Sequence, residues 1–238
     1  MRLDALVAKN GLAESRERAQ ALIMAGKVRV GGETVRRPDR SVADGAEISV
    51  DADPDYASRG ALKLGPALDA FGVDPRGLVC ADIGASTGGF TDVLLRRGAT
   101  RVYALDVGRG LLHWRLRQDP RVVVIERMNA RHLEHFPEPI DLVVVDVSFI
   151  GLEKVLPAIT RAAPGAPVVA LFKPQFQVER GEVGKGGIVR DEAAVERALG
   201  RFRAWCASNG LQVAGEAPSA LPGTEGNREI FVHLSPAS

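Results

Sequence analysis

From residue 78 onward, short apolar runs alternate with amphipathic stretches. This rhythm predicts strands at 78–83, 101–106, 122–125, 141–146 and 167–173. Helices are predicted near 89–97, 109–117, 151–162 and 191–209. The runs Leu142-Val143-Val144-Val145 and Val168-Val169-Ala170-Leu171-Phe172 are continuous rather than alternating. Strands buried on both faces read this way. Two further strands fit 211–215 and 229–234. The predicted class is α/β, a Rossmann-like, doubly wound parallel sheet with ligands at the carboxyl ends of its strands.

The first 50 residues follow another pattern. Leu3, Leu6 and Val7 share a helical face, and Gly11 ends that helix. Ser15 suits the N-cap of a second helix, with Ala19, Leu22 and Ile23 inward and Gly26 at its end. Val28-Arg29-Val30, Gly31-Gly32 and Thr34-Val35 read as a hairpin, and 47–50 as a last strand. Arg16, Arg18, Lys27 and Arg29 then fall near one exposed side. A solvated basic face explains them as well as a binding face does. Residues 51–57 carry three aspartates and Pro54 and read as a linker. Ser58 is expected to cap a helix reaching Phe71, with Pro66 making its start irregular or moving it towards Gly65. The expected organisation is a small α+β module at 1–50, a linker at 51–57 and a large domain at 58–238.

Composition narrows the function little. The chain has 238 residues, 45% hydrophobic and 26% charged, with a net charge of +1. Those are values of a globular protein with a real core. Charge is uneven, however: residues 1–40 hold nine Lys/Arg against five Asp/Glu. Cys80 and Cys206 form neither a disulfide framework nor a metal spacing, which suits a reducing cytoplasm. No secretory h-region and no apolar run of about 18 residues is present, so a cytoplasmic protein is expected. His113, His132, His135 and His233 give no zinc-ligand pattern, so no metal is expected.

Chemistry concentrates where the first long strand ends. Asp82-Ile83-Gly84-Ala85-Ser86-Thr87-Gly88-Gly89-Phe90 is a glycine-rich turn between a strand and a helix. Glycine there admits positive φ or a close ligand, and free N–H groups at the helix start can meet a cofactor. The next strand, Val102-Tyr103-Ala104-Leu105, ends in Asp106, and an acid at that tip suits a ribose diol. An adenosine-containing cofactor is expected. The spacing fits the dinucleotide turn G-x-G-x-x-G poorly and the acid-x-Gly-x-x-x-Gly turn of S-adenosylmethionine enzymes better. A dinucleotide oxidoreductase and a turn that binds nothing remain open at this point. Asp146 and Lys173 each end a buried strand and would face the same crevice.

Two resemblances sharpen this. Gly11-Leu12-Ala13-Glu14-Ser15-Arg16 through Ala19, Leu22-Ile23, Gly26-Lys27-Val28-Arg29-Val30 and Gly32 resemble the alpha-L RNA-binding motif. That motif is named after the fourth small-subunit ribosomal protein, and it implies binding to structured RNA through phosphates and shape. Residues 58–238 resemble the TlyA family, also called hemolysin A and related to FtsJ-type ribose 2′-O-methyltransferases. The matching segments are Ser58-Arg59-Gly60-Ala61-Leu62-Lys63-Leu64, Gly84 to Thr91, Asn129-Ala130-Arg131 and Asp146-Val147-Ser148-Phe149-Ile150. Lys173-Pro174-Gln175-Phe176, Val183-Gly184-Lys185-Gly186-Gly187 and Gly226-Asn227-Arg228-Glu229 complete them. Gln177 departs from the pattern, where an acid is common.

The resemblance implies a class I S-adenosylmethionine methyltransferase fold acting on ribosomal RNA or ribosomal subunits, at a cytidine. It also implies a Lys-Asp-Lys-Glu tetrad at Lys63, Asp146, Lys173 and Glu229; nothing else promotes Lys63 or Glu229. A ribose hydroxyl must lose its proton as it attacks a sulfonium methyl. A lysine can take that proton only with a pKa well below about 10.4, as burial and a second ammonium favour. Lys173 is the expected base, Lys63 the second cation, and the two acids orient them. S-adenosylmethionine contacts are implied at Asp82, Gly84, Ser86, Thr87, Gly88, Phe90, Asp106, Asn129 and Asp146. Gly84 and Gly88 would admit the methionine portion, Ser86 and Thr87 its carboxylate, Asp106 the ribose and Asn129 the adenine edge. RNA contacts are expected at Arg16, Arg18, Lys27, Arg29, Arg59 and Lys185. The rival readings are an RNA-binding protein without catalysis and a membrane-lytic hemolysin.

Overall fold

The computed structural model of the chain describes all residues except 11, 14, 25, 44, 51–56, 59, 224, 225 and 238. The side chains of Arg18, Val50 and Arg180 are also outside the description. The expected linker, the helix stop at Gly11 and the RNA contact at Arg59 therefore lie outside the described residues. The chain divides into two compact units, Met1–Asp55 and Tyr56–Ser238.

In the first unit, helices α1 (Leu3–Lys9) and α2 (Arg16–Met24) precede strands β1 (Val28–Val30), β2 (Glu33–Val35) and β3 (Ile48–Val50). The strands form an antiparallel sheet in the order β2-β1-β3. Gly31 and Gly32 have φ of 57° and 84°, as a two-residue hairpin turn of matching twist requires. Leu3, Val7, Ala19, Ile23, Val28 and Val35 form its core. Asp4, unremarked by the hydrophobic pattern, is fully buried beneath polar groups. It accepts hydrogen bonds from Arg2 and Gln20 and pairs with Arg16 at 3.2 Å. The Arg2 hydrogen bonds, against the cost of burial, hold its carboxyl well below the usual carboxylate range.

In the second unit, α3 (Ala61–Phe71) comes first. Then follow β4 (Val79–Ile83), α4 (Gly89–Arg96), β5 (Arg101–Leu105), α5 (Trp114–Arg117), β6 (Val122–Ile125) and β7 (Leu142–Val145). The unit continues with α6 (Leu156–Ala162), β8 (Val168–Phe172), α7 (Glu192–Ser208), β9 (Leu211–Pro218) and β10 (Ile230–Pro236). One seven-stranded sheet has the order β6-β5-β4-β7-β8-β10-β9. Strands β4 to β8 are parallel, as expected. The last two complete a mixed sheet instead: β10 runs antiparallel to both β8 and β9. The reason is the connection. Residues 219–229 contain no helix among the described residues, and a parallel return needs a crossover of a dozen residues or more.

Alternate strand residues serve opposite faces. Leu142 and Val144 pack with Leu64, Leu68 and Leu94 of α3 and α4. Val143 and Val145 pack with Leu156, Ile159 and Phe202 of α6 and α7. This two-sided burial is why the apolar runs are continuous. Strand β9, at the sheet edge, alternates buried and exposed positions instead.

Three helix expectations need correction. The 109–117 helix is only Trp114–Arg117, because glycines at 108 and 110 keep the preceding loop irregular. The 151–162 helix is a 3₁₀ turn, Leu152–Lys154, followed by α6, with Pro157 in its first turn. Pro66 neither delays nor breaks α3, which begins five residues earlier, and Ser58 does not cap it.

The turn glycines owe their identity to packing within the chain. At Gly84 (φ 84°), a Cβ would overlap the backbone carbonyl of Asp146, which cannot move aside. At Gly210 (φ 71°), no atom lies within 4 Å of the same position. Gly210→Ala should therefore cost about 1–2 kcal/mol from positive φ alone, and Gly84→Ala about 3 kcal/mol or more. Urea unfolding of both variants measures the difference.

Candidate active site

Parallel strands deliver their last residues to one edge of the sheet. Gly84 follows β4, Asp106 follows β5, Asp146 follows β7 and Lys173 follows β8. Strand β10 runs the other way, so its first residues lie at that same edge. Ile230 pairs with Phe172, which places Glu229 beside the tip of β8. Lys63 reaches the edge from the first turn of α3. The start of α3 lies so close to α4 that a Cβ on Gly89 would overlap Ser58 and approach the Ala61 nitrogen to 2.9 Å.

The four tetrad residues meet. Lys63 Nζ donates to Glu229 Oε2 at 2.5 Å, with side chains 13% and 3% exposed. Lys173 Nζ lies 2.5 Å from Asp146 Oδ1, with side chains 12% and 24% exposed. This second pair is an ion pair without an aligned hydrogen bond. Lys173 Nζ also donates to Ser148 Oγ at 3.0 Å. All four line one small cleft of about 190 Å³ with Ser86, Thr87 and Pro222.

A neighbouring cleft of about 370 Å³ is lined by Ser86, Asp106, Leu111, Met128, Asn129 and Phe149, among others. Asp106 accepts from the Ser86 and Gly108 backbone N–H groups, at 2.8 and 2.7 Å. Each of its oxygens keeps a second lone pair for a ligand. Asn129 Oδ1 caps the Ala130–His132 turn through the Arg131 N–H, leaving its amide NH₂ available to the cleft. A third cleft, of about 390 Å³, is lined by Ser148, Phe149, Lys173, Gln175, Phe176 and Glu229.

Other expected contacts are placed differently. Asp82 is fully buried, accepts from Thr91 Oγ1 at 2.6 Å and lines none of these clefts, so it supports the turn from beneath. Phe90 lines the small cleft yet is 3% exposed, its ring tilted against Phe231 in the core. Gly88 borders Leu112 and Leu116, so its φ of 96° and its lack of a side chain serve the fold. In the first unit Arg16 is half exposed but tied to Asp4, Lys27 is half-buried and Arg29 is exposed. Lys185 is exposed on the Lys185–Gly187 turn. The pattern gave no role to Ser148, although it stands two residues beyond a strand-tip acid. It gave none to Phe149, which is 91% exposed with φ of 65°, a strained value for a bulky residue.

Residues 56–235 match the FtsJ-like methyltransferase family and residues 1–48 the S4 domain. The 16S/23S rRNA (cytidine-2'-O)-methyltransferase TlyA of Mycobacterium tuberculosis is 48% identical over 98% of this chain and 89% of its own length. The chain belongs to the TlyA family. Another relative, Hemolysin A of Brachyspira hyodysenteriae, is 43% identical over 98% of this chain and 99% of its own. A solved structure from Streptococcus thermophilus, also named as a hemolysin, superposes with a TM-score of 0.76. It is 42% identical and covers all of this chain and 89% of that one. The mostly parallel seven-stranded sheet and the small N-terminal unit fit this membership, and the rival dinucleotide reading of the turn is set aside. Among the described residues, no helix is long and apolar enough to cross a membrane. No group of three or more His, Cys, Asp or Glu among them could hold a metal ion.

Burial pushes the Asp82 carboxyl up to about 7; the Thr91 hydrogen bond opposes this, and the charges of Asp146 and Asp106 add to it. The sign follows. The folded state holds the proton more tightly than an unfolded aspartate near 3.8. The contribution of Asp82 to stability is thus full below about 4 and lost as pH rises towards 7. Against Asp82→Asn, the natural protein should lose a few kcal/mol between pH 4 and 7. Urea titrations of both across that range test it.

Proposed function

We propose that this chain transfers a methyl group from S-adenosylmethionine to a ribose 2′-hydroxyl, that of a cytidine, in ribosomal RNA of the cytoplasm. The observation that carries the reading is the pairing of two lysines with two carboxylates in one cleft at the strand tips. The name of the M. tuberculosis relative supports the substrate. The membrane-lytic reading rests on names alone, those of the B. hyodysenteriae relative and the S. thermophilus structure. An RNA-binding protein without catalysis would need no such partly buried tetrad, and removing ion pairs from water without a use for them is costly.

The cleft of about 370 Å³ fits the methyl donor in kind. Leu111, Met128 and Ile150 give apolar walls for a purine, Asp106 an acceptor for a diol, and Asn129 a donor for a ring edge. Ser86 and Thr87, both exposed, would meet the carboxylate end. Once bound, S-adenosylmethionine supplies an electrophilic methyl group on a sulfonium.

The chain's own residues prepare the acceptor. Lys63 compensates Glu229, whose carboxylate is nearly sealed from solvent. Lys63 is the counter-charge of that nearly sealed carboxylate. Lys173, beside the more open Asp146, is the group that would receive the proton from the 2′-oxygen. Holding the hydroxyl in line with the methyl carbon supplies much of the rate. Residues 1–50 act as the RNA-binding module, with Arg16, Arg18, Lys27 and Arg29 on phosphates. Arg59 and Lys185 extend the contact on the catalytic unit.

Ribose methylation mapped by mass spectrometry in ribosomes with and without the protein tests the activity directly. Lys173→Ala should abolish transfer. Lys63→Ala, Asp146→Ala and Glu229→Ala should each lower kcat severely, and their effects should not add, because the four act as one unit. RNA with a 2′-deoxy target nucleotide should bind without accepting a methyl group; methylation of that RNA would point to a base instead.

Replacing Arg16, Lys27 and Arg29 by alanine should lower the salt dependence of RNA binding. The slope should fall by roughly 0.7–0.9 per lost phosphate contact. An unchanged slope in filter binding would leave these residues as solvated surface.

A further inference from the structure

We infer that Ser148 is a positioning residue for the proton transfer: its hydroxyl, with Asp146, aims the lone pair of Lys173 at the acceptor. The inference rests on the ribose-methylation reading and deepens it. It starts from an asymmetry between the lysines. Among the described residues, Lys63 Nζ has a single partner, the buried Glu229. Lys173 Nζ has two, Asp146 Oδ1 at 2.5 Å and Ser148 Oγ at 3.0 Å, and no third among the described residues.

A neutral amine has four tetrahedral directions: one carbon, two N–H bonds and one lone pair. Ser148 Oγ accepts one N–H, and the negative Asp146 carboxylate, 2.5 Å away without an aligned hydrogen bond, keeps the lone pair from pointing at it. With Cε fixed by the chain, the lone pair has one direction left. Lys173 lines the small cleft and the third cleft, and Ser148 lines the third cleft and the cofactor-sized one. The two side chains therefore meet where the clefts adjoin, which is where a bound acceptor and the methyl donor would come together. With Asp146 alone, the amine could turn about Cδ–Cε and lose that aim. In the step itself, the 2′-oxygen uses a lone pair to bond the methyl carbon while the C–S electrons pass to sulfur. The 2′-O–H proton passes to Lys173 Nζ, which returns it to solvent after release. Ser148 neither gains nor loses a proton.

Ser148 is exposed, so its replacement leaves the core intact. Ser148→Ala should lower kcat on the order of ten- to a hundredfold, the worth of a hydrogen bond to a charged group. KM for RNA and the Kd for S-adenosylmethionine should stay within about threefold, since a positioning effect acts on the reacting state. Ser148→Thr keeps the hydroxyl and should recover most of kcat. Natural kcat in the alanine variant, a loss confined to KM, or a threonine variant as slow as alanine would each overturn the assignment while the function stands. If the unaltered chain transfers no methyl to ribosomal RNA, or methylates the 2′-deoxy RNA, the functional reading falls and takes this assignment with it.

Discussion

Strand β10 runs against both of its neighbours, and the candidate site depends on that reversal. A parallel sheet sends carboxyl ends to one edge, so only residues that follow strands can gather there. Asp146 and Lys173 arrive in this way. Glu229 precedes its strand, and it reaches the same edge only because β10 points the other way. Its partner Lys63 arrives from a helix lying outside the strand order. Three modes of delivery converge on one cleft, and the sheet's geometry leaves little freedom in where they meet.

The glycine-rich turn has a related logic. Its glycines look like concessions to a ligand, yet each is hemmed in by the chain. Gly84 faces the carbonyl of Asp146, Gly88 faces Leu112 and Leu116, and Gly89 faces the start of α3. Close packing draws the strand tips and the first turn of α3 together, which is a condition for any ligand to touch them at once. Asp82 belongs to this frame. It lies under the turn with one oxygen on Thr91 and the other unpaired.

The five parallel strands were legible because burial on both faces makes a run such as Leu142–Val145 continuous. Asp106, Asp146 and Lys173 were legible because charges that end such runs have few other places to go. Lys63 was not, since a lysine on an amphipathic helix reads as surface; only likeness to a family singled it out. The reversal of β10 was also hidden, because strand direction depends on the length and content of the connection rather than on the strand's own residues. Ser148 was invisible for another reason. A serine has no pattern until a lysine 25 positions away is seen to donate to it. The basic residues of the first unit were read as a cluster, but Asp4 engages Arg16, and a buried aspartate leaves no trace in a hydrophobic pattern.

Strand β10 comes last in chain order yet lies inside the sheet, with β9 beyond it. During synthesis, β4 to β8 can assemble while the rest is still being made. Strand β9 cannot join them, because the strand that separates it from β8 has not yet emerged. Glu229 is made later still, so Lys63 waits without its counter-charge until residue 229 has emerged. The nascent chain therefore carries an open β8 edge from the completion of β8 until β10 emerges. The candidate tetrad would be complete only once residue 229 has emerged, beside the very machine whose RNA we propose it modifies.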